Sequence, residues 1–242
     1  MRSLPWVLAL ALSGAPGSSR AHEAHELEAE TALLFALPEA GSYELPPIER
    51  VTDVSLLDSK GERVPLLGLE RGELAIVAFI YRSCADAAGC PLSLATLQRL
   101  DRRLARRPEL ARLTRLVTVS FDPGRDTPER MAELRRLLSP RSDWRFLTAS
   151  SADEIGGVLS DFGQDALRLA TADGQETGVL RHVLKVFLVD GSGWIRNVYS
   201  AGFLDSRILE RDLETVGLEL RSRTVPRAPG ATRGSGARPP RR

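Results

Sequence analysis

The residues with the most specific chemistry in this sequence are two cysteines and one histidine. Cys84 and Cys90 are the only cysteines of the chain, and five residues separate them. His182 follows much later, at the start of an apolar run. Two thiols at this spacing can form a redox-active disulfide, and two thiolates with an imidazole are a soft ligand set that suits Cu(I). The three residues therefore predict thiol redox chemistry or a copper site.

The patterns around the cysteines place both of them where a strand gives way to a helix. Residues 74–81 are apolar and predict a buried strand, so Cys84 follows its carboxyl end, where ligands of open α/β sheets usually lie. Pro91 predicts the start of a helix, because a proline loses no hydrogen bond there. Cys90 is then expected at a helix N-terminus, which favours a thiolate. Gly89 makes the loop flexible enough for a disulfide, and a purely structural disulfide is the alternative interpretation.

The rest of the chain alternates between strand and helix patterns. Strands are predicted at 51–57, 62–66, 74–81, 113–121, 144–149, 184–189 and 194–199, and helices at 91–104, 127–138, 152–162 and 206–220. The first two strands are expected to form a hairpin around a turn at 58–61. This order predicts an α/β fold, a thioredoxin-like sandwich with a mixed central sheet flanked by helices and an N-terminal hairpin.

The two ends of the chain are expected to lie outside this domain. Residues 1–21 have a basic start, a short apolar stretch and small residues at the end, which is typical of a secretory signal peptide. We therefore expect an exported, soluble, periplasmic protein rather than one anchored by an uncleaved N-terminal segment. Residues 22–42 predict an acidic, flexible lead-in, residues 43–220 the thioredoxin-like domain, and residues 221–242 a disordered basic tail.

Composition and charge exclude several classes of function. The 43% hydrophobic content is enough for a packed core, so global disorder is excluded. The formal charge of +1 combines a basic tail with a negatively charged remainder, which argues against nucleic-acid binding. The tail can contact an anionic membrane surface or an acidic partner, although a solvated tail is the simpler interpretation. Phosphate-loop, dinucleotide-binding, Ser-His-Asp and zinc-finger patterns are absent from the sequence.

Several motifs together resemble the SCO/SenC family of exported copper-binding proteins. The resemblance runs from about residue 43 to the final helix, in the family's order. It rests on segments 45–47 and 56–61, segment 79–81 leading into a cysteine, Cys90 with Pro91, segment 120–129, and His182 followed by segment 183–190. The string Asp-Pro-Gly-Arg-Asp-Thr-Pro within 120–129 is the most specific part. The family's cysteines are usually closer in sequence than here, and its members are commonly anchored to a membrane.

The resemblance implies a copper site formed by Cys84, Cys90 and His182, which would hold Cu(I) or, with an added oxygen ligand or water, Cu(II). It implies a metallochaperone that passes copper to an exported or membrane-bound cuproprotein, such as a respiratory cytochrome c oxidase. Asp122 follows a predicted strand and is expected at the same rim, where it can orient His182, contact a partner or tune the metal site, or simply shape the loop. Asp126 is expected to cap the next helix.

Two other classes of function stay open on the same residues. A thiol–disulfide oxidoreductase would keep the cysteines of a redox partner reduced. Cys84 would attack, Cys90 would resolve the mixed disulfide, and His182 would be dispensable. A pure interaction module without copper is the third class. His22 and His25 can bind a second copper together with the free amino group of a mature chain, although a solvated N-terminus is the simpler interpretation.

Overall fold

The computed structural model describes residue 33 and residues 35–84 and 86–224. Its helices and strands lie within the compact unit Leu37–Arg242. The predicted signal peptide, the first part of the predicted lead-in and the tail beyond residue 224 lie outside the described residues. Within the described ranges, no helix has both the length and the apolar character that crossing a membrane requires.

The strands of the described chain form one seven-stranded mixed sheet and one separate hairpin. They are β1 Ser55–Asp58, β2 Arg63–Pro65, β3 Leu74–Ile80, β4 Thr114–Ser120, β5 Trp144–Thr148, β6 Ala166–Ala170, β7 Glu176–His182, β8 Val186–Asp190 and β9 Ile195–Tyr199. The order in the large sheet is β2-β1-β5-β4-β3-β8-β9. Strands β3, β4 and β5 are parallel, whereas β1, β8 and β9 join antiparallel. This arrangement confirms the predicted mixed sheet.

Helices cover the sheet and begin where the sequence places helix-starting residues. In the described residues they are α1 Cys90–Leu104, α2 Pro108–Ala111, α3 Pro128–Leu138, α4 Ala152–Asp161 and α5 Ser206–Thr224, with a 3-10 turn at Ala201–Phe203. Helix α1 packs against α5, and α3 packs against β5. Prolines open α1, α2 and α3, because proline has the right φ and needs no hydrogen bond there. Ser151 caps α4 by accepting the N–H of Glu154 at 3.2 Å.

Strand β3 forms the centre of the hydrophobic core. Every residue from Leu74 to Ile80 is buried. A parallel strand covered on both faces must be apolar at each position, which explains its uninterrupted apolar sequence. Phe79 packs edge-on against Phe162 and Phe187, with ring centroids 5.1 and 6.0 Å away. Because β4 runs parallel beside β3, the carboxyl ends of both strands share one rim of the sheet.

The hairpin of β6 and β7 was not among the predicted elements. It turns tightly at Gly174, whose φ of +86° favours glycine. Its strands are short and carry charged residues between the apolar ones, so their periodicity is weak. The position of His182 in this hairpin differs from the predicted one. This residue ends β7, whereas the apolar run after it predicted a position at the entry to the next strand, β8.

The last helix is also longer than predicted. Helix α5 continues to Thr224, so residues 221–224 are helical and do not belong to a disordered tail. Arginine is a good helix former, and the first proline of this region is Pro226. The propensity of the arginines therefore carries the helix past the predicted end at residue 220.

The turn between β8 and β9 gives a first testable prediction. A Cβ added to Gly191 would lie 2.0 Å from the main-chain oxygen of Glu70, so the backbone would have to shift. We expect Gly191→Ala to lower the free energy of unfolding by about 1–3 kcal/mol, measured by urea denaturation. Gly157→Ala is the control, because Gly157 has open space around it and lies in α4, where alanine is favoured. Equal effects of the two substitutions would contradict the close approach.

Candidate metal centre

Cys84 lies in the turn that follows β3. Its main-chain N–H donates to the carbonyl oxygen of Tyr81 at 3.2 Å, which closes the turn. Its side chain is half-buried. The carboxyl end of a buried strand therefore fixes the position of the first sulfur while leaving it accessible from one side.

Cys90 is the first residue of α1 and is buried. Its Sγ accepts the main-chain N–H of Tyr81 at 3.4 Å. The peptide groups of Tyr81 thus hold both cysteines, one through the carbonyl and one through the N–H. The two cysteines are free thiols rather than a disulfide.

His182 reaches the cysteines from the end of the β6–β7 hairpin. Its Nδ1 lies 3.3 Å from the carbonyl oxygen of Leu180, and its Nε2 lies 3.6 Å from the Sγ of Cys90. A carbonyl oxygen only accepts hydrogen bonds, so this contact favours the tautomer with the proton on Nδ1. The lone pair of Nε2 then points to the sulfurs, as in histidines that bind metals.

The structure brings together the three residues predicted to bind copper. The Sγ atoms of Cys84 and Cys90 and the ring nitrogen of His182 all lie within 4.8 Å of one another. Two sulfurs and one imidazole nitrogen form a soft donor set, which fits Cu(I) better than a hard ion such as Mg²⁺. The site residues fit a single copper ion bound by three ligands.

The two thiols differ in acidity. Burial alone would raise the pKa of Cys84, but hydrogen bonds to its sulfur, first those from the main-chain N–H groups of Cys90 and Asp86, lower that pKa below its usual value. Burial, together with the neighbouring sulfur of Cys84, raises the pKa of Cys90 to about 12, although the N–H of Tyr81 lowers it in part. Cys84 is therefore the thiol that ionises first.

This result corrects the expectation for Cys90. Its position at the start of α1 predicted a stabilised thiolate, since the N–H groups of a helix N-terminus attract negative charge. The burial of Cys90 outweighs that attraction, because removing a thiolate from water is unfavourable. The sequence gives the helix position but does not reveal the depth of burial.

Aromatic rings surround the imidazole. Tyr81 packs edge-on against His182 with ring centroids 5.6 Å apart, and Phe121 packs against it at 5.0 Å. Burial, and then a hydrogen bond to the sulfur of Cys84, raises the pKa of Tyr81 to about 12. In the sequence, Tyr81 belongs to the motif at 79–81, and no role was predicted for it. Its position between a buried strand and a cysteine is the sequence signal from which its place beside the site could have been predicted.

Asp126 does not cap a helix, contrary to the expectation from the sequence. Its buried carboxylate accepts the main-chain N–H of Arg82 at 2.9 Å and the hydroxyl of Ser120 at 2.6 Å. Thr127 instead precedes α3, without a side-chain cap. Asp126 therefore ties the segment that leads to Cys84 to the end of β4.

Asp122 lies buried at the rim where it was expected. Its carboxylate forms an ion pair with Arg125 at 3.6 Å, and its main-chain N–H donates to the hydroxyl of Ser120 at 3.2 Å. These contacts fit a role in shaping the loop after β4. A role in orienting His182 or contacting a partner stays a prediction. His22 and His25 lie outside the described residues.

A cavity of about 280 Å³ opens beside Cys84. It is lined by Tyr81, Ser83, Cys84, Asp86, Leu169, Val179, Leu180, Arg181 and His182. The walls thus come from the cysteine loop on one side and the β6–β7 hairpin on the other. Because Cys90 is buried and absent from the lining, a molecule in this cavity meets Cys84 and His182 first.

Comparisons with known proteins agree with this geometry. The SCO1/SenC family model matches residues 48–216. A search of curated proteins gives no match. Among solved structures, a SCO1/SenC family lipoprotein from Bacillus anthracis has a TM-score of 0.57 and 22% identity, covering 69% of this chain and 95% of its own. Arabidopsis thaliana ScoI with copper bound has a TM-score of 0.56 and 22% identity, covering 71% and 98%.

A third solved structure is BsSco, described as having a disulfide switch and as a member of the Sco family of cytochrome c oxidase assembly proteins. It has a TM-score of 0.54 and 21% identity, and the match covers 71% of this chain and 95% of BsSco. At these identities the likeness shows the fold. The predicted thioredoxin-like sandwich is confirmed.

The acidity difference predicts selective alkylation. At pH values from about 6 to 9 we expect iodoacetamide to modify Cys84 far faster than Cys90, because only the thiolate reacts and the pKa of Cys90 is about 12. The rate of alkylation at Cys84 should rise with pH and reach a plateau at a lower pH than for an ordinary thiol, because the pKa of Cys84 is lowered. Cleavage before Asp86 separates the two cysteines for mass spectrometry. Equal rates at both sulfurs would contradict the assignment.

The contacts of Asp126 predict that its substitution affects both the stability of the protein and the alkylation of Cys84. Asp126→Ala leaves the N–H of Arg82 and the hydroxyl of Ser120 without their acceptor, so we expect a loss of about 1–3 kcal/mol in unfolding free energy. Alkylation of Cys84 should change as its loop loosens. Asp126→Asn should recover much of both properties, because the amide oxygen still accepts.

Asp153→Ala is the matched control for Asp126→Ala. Asp153 is an exposed aspartate in the first turn of α4, and its substitution should change stability by no more than about 0.5 kcal/mol. If both aspartates behave alike in denaturation and alkylation, Asp126 does not hold the cysteine loop.

Proposed function

The chain belongs to the SCO1/SenC family, and on that premise we propose that it is a copper-binding metallochaperone. The observation that carries the proposal is the cluster of Cys84, Cys90 and His182, whose ligand atoms lie within 4.8 Å of one another. Three soft donors at one rim of the sheet suit Cu(I) as the cargo. The copper bound to Arabidopsis ScoI supports the choice of metal.

The arrangement of the ligands suits transfer as well as binding. Cys84 is half-buried and lines the open cavity, whereas Cys90 is buried beneath it. A thiolate or imidazole of the recipient can therefore replace Cys84 while Cys90 and His182 still hold the ion. One-at-a-time ligand exchange avoids releasing free copper into water. In the oxidised state, Cu(II) would take an added oxygen ligand or water.

The recipient is proposed to be an exported or membrane-bound cuproprotein, such as cytochrome c oxidase. The description of BsSco as one of the cytochrome c oxidase assembly proteins supports this choice. Export is proposed from the signal-peptide pattern of residues 1–21, with residues 43–220 as the functional domain and the periplasm as its location. The Bacillus anthracis relative, described as a lipoprotein, supports a location outside the cytoplasm.

A thiol–disulfide oxidoreductase is the second candidate, and the unequal thiols favour it. Cys84 has a lowered pKa and faces the cavity, as an attacking thiolate requires. Cys90 is close behind it and would resolve the mixed disulfide. The disulfide switch described for BsSco supports such chemistry. The two candidates differ over His182, which copper binding needs and thiol exchange does not.

An anaerobic Cu(I) competition titration of the reduced protein tests the proposal. We expect about one copper per chain for the wild type, and a weakening of about tenfold or more for His182→Ala, because one of three ligands is lost. His25→Ala is the matched control, since it also removes an imidazole but is not one of the three residues proposed to bind copper. Its affinity should equal that of the wild type.

Two results would decide against the metallochaperone. Weak binding that does not respond to His182→Ala, with Cys84 and Cys90 still cycling between thiol and disulfide, leaves the oxidoreductase. Loss of copper after His25→Ala but not after His182→Ala places the copper site at the N-terminus instead.

A further inference from the structure

The β6–β7 hairpin exposes aliphatic side chains beside the metal centre. Leu167 is 57% exposed, Leu169 39% and Val179 48%, and we call these three residues the hairpin face. Leu180, the neighbour of Val179 that points to the opposite side, is buried. Single exposed apolar residues are ordinary, but three on one small element beside a reactive site indicate an interaction surface.

The hairpin face is continuous with the opening at Cys84. Leu169 and Val179 line the same cavity as Cys84 and His182. The volume of this cavity, about 280 Å³, is at the lower limit of pockets that hold small molecules, which measure about 300–1,000 Å³. The cavity therefore suits side chains brought by a partner better than a separate ligand.

The hairpin also lies outside the large sheet. Among the described residues, β6 and β7 pair only with each other. A two-stranded hairpin is marginally stable in water unless other groups pack on it. A partner that buries the hairpin face would stabilise the element that carries His182.

We propose that the hairpin face is the docking surface for a partner protein whose reactive cysteine is flanked by aliphatic residues. The inference rests on the proposed function, because the oxidoreductase needs a partner thiol at Cys84 and the metallochaperone needs a partner ligand there, which a thiolate can supply. A small thiol such as glutathione has no aliphatic groups to place on the hairpin face.

Disulfide exchange with synthetic peptides tests the proposal without copper. Each peptide carries one cysteine as a mixed disulfide with 5-thio-2-nitrobenzoate, flanked in one peptide by Leu and Val and in the other by Ser and Thr. The thiolate of Cys84 attacks the sulfur of the peptide and expels thionitrobenzoate, which is the better leaving group. The thiol of Cys90 then loses its proton and attacks the Cys84 sulfur, which releases the peptide thiol and leaves the Cys84–Cys90 disulfide.

The absorbance of released thionitrobenzoate gives the rate for the reduced full chain. We expect the wild type to react about tenfold faster with the aliphatic peptide, because aliphatic side chains gain from burial on the hairpin face. The triple variant Leu167→Thr, Leu169→Thr, Val179→Thr should lose this preference. Its rates with the two peptides should become equal, and its far-UV circular dichroism should match that of the wild type. Threonine keeps the strand propensity.

Single substitutions provide a matched pair. Val179→Thr should reduce the preference for the aliphatic peptide, whereas Val198→Thr should not. Val198 is a strand valine of similar exposure, at 38%, but it lies on β9 and does not line the cavity. Equal wild-type rates for the two peptides, or a preference that survives the triple variant, would overturn the proposal.

Two further measurements separate the outcomes. If sedimentation shows a wild-type dimer that the triple variant abolishes, the hairpin face is covered by a second copy and the proposal is wrong. A Cu(I) titration of the wild type distinguishes the docking surface from the proposed function. Absent copper binding with an intact peptide preference overturns the metallochaperone alone, and tight copper binding without any preference overturns the docking surface alone.

Discussion

Burial of β3 on both faces fixes the place where the two sulfurs meet. The strand is held in register by β4 on one side and β8 on the other, so the chain must leave the sheet at Tyr81. The peptide groups of Tyr81 then bind Cys84 through the carbonyl oxygen and the sulfur of Cys90 through the N–H. Both ends of the intervening loop are therefore anchored to one residue. A loop anchored in this way can lengthen at its middle without separating the sulfurs, which explains how the wide spacing of the cysteines is compatible with the cluster.

The third ligand is held by a different kind of contact. His182 comes from a hairpin outside the large sheet, in which it pairs with Ala166, and two side chains form further bonds between the residues just before and just after the hairpin. The amide of Gln164 donates to the carbonyl oxygen of Val183 at 2.8 Å, and the Nζ of Lys185 donates to that of Gly163 at 2.5 Å. The imidazole is thus fixed near the base of the hairpin, while the face beyond it stays exposed. A rigid pair of sulfurs and a ligand on a separate element make a site that can meet a partner.

The sequence predicted those parts of the fold whose signals are local. The apolar run of β3 and the proline that opens α1 sufficed to place Cys84 and Cys90 at one rim, because strand ends and helix starts are set by nearby residues. The hairpin that carries His182 has a weak pattern, and only its turn at Gly174 gives a signal. The contacts of Asp126 were missed because its partners, Arg82 in the turn after β3 and Ser120 at the end of β4, come together only in the folded sheet.

The unequal burial of the two thiols makes the protonation of Cys90 part of copper binding at the proposed site. Burial favours the neutral thiol of Cys90, so its pKa is about 12, and this residue is protonated in the metal-free protein at neutral pH. A thiolate is the form that binds copper, so loading the site must expel that proton. The positive charge of the ion then offsets the unfavourable burial of the sulfur's negative charge. The burial that makes Cys90 a poor nucleophile therefore also makes its thiolate depend on a bound cation. Copper binding should strengthen as the pH rises, because the proton of Cys90 is then lost more easily. Cys84, with its lowered pKa, needs no such compensation and is free to exchange with a partner.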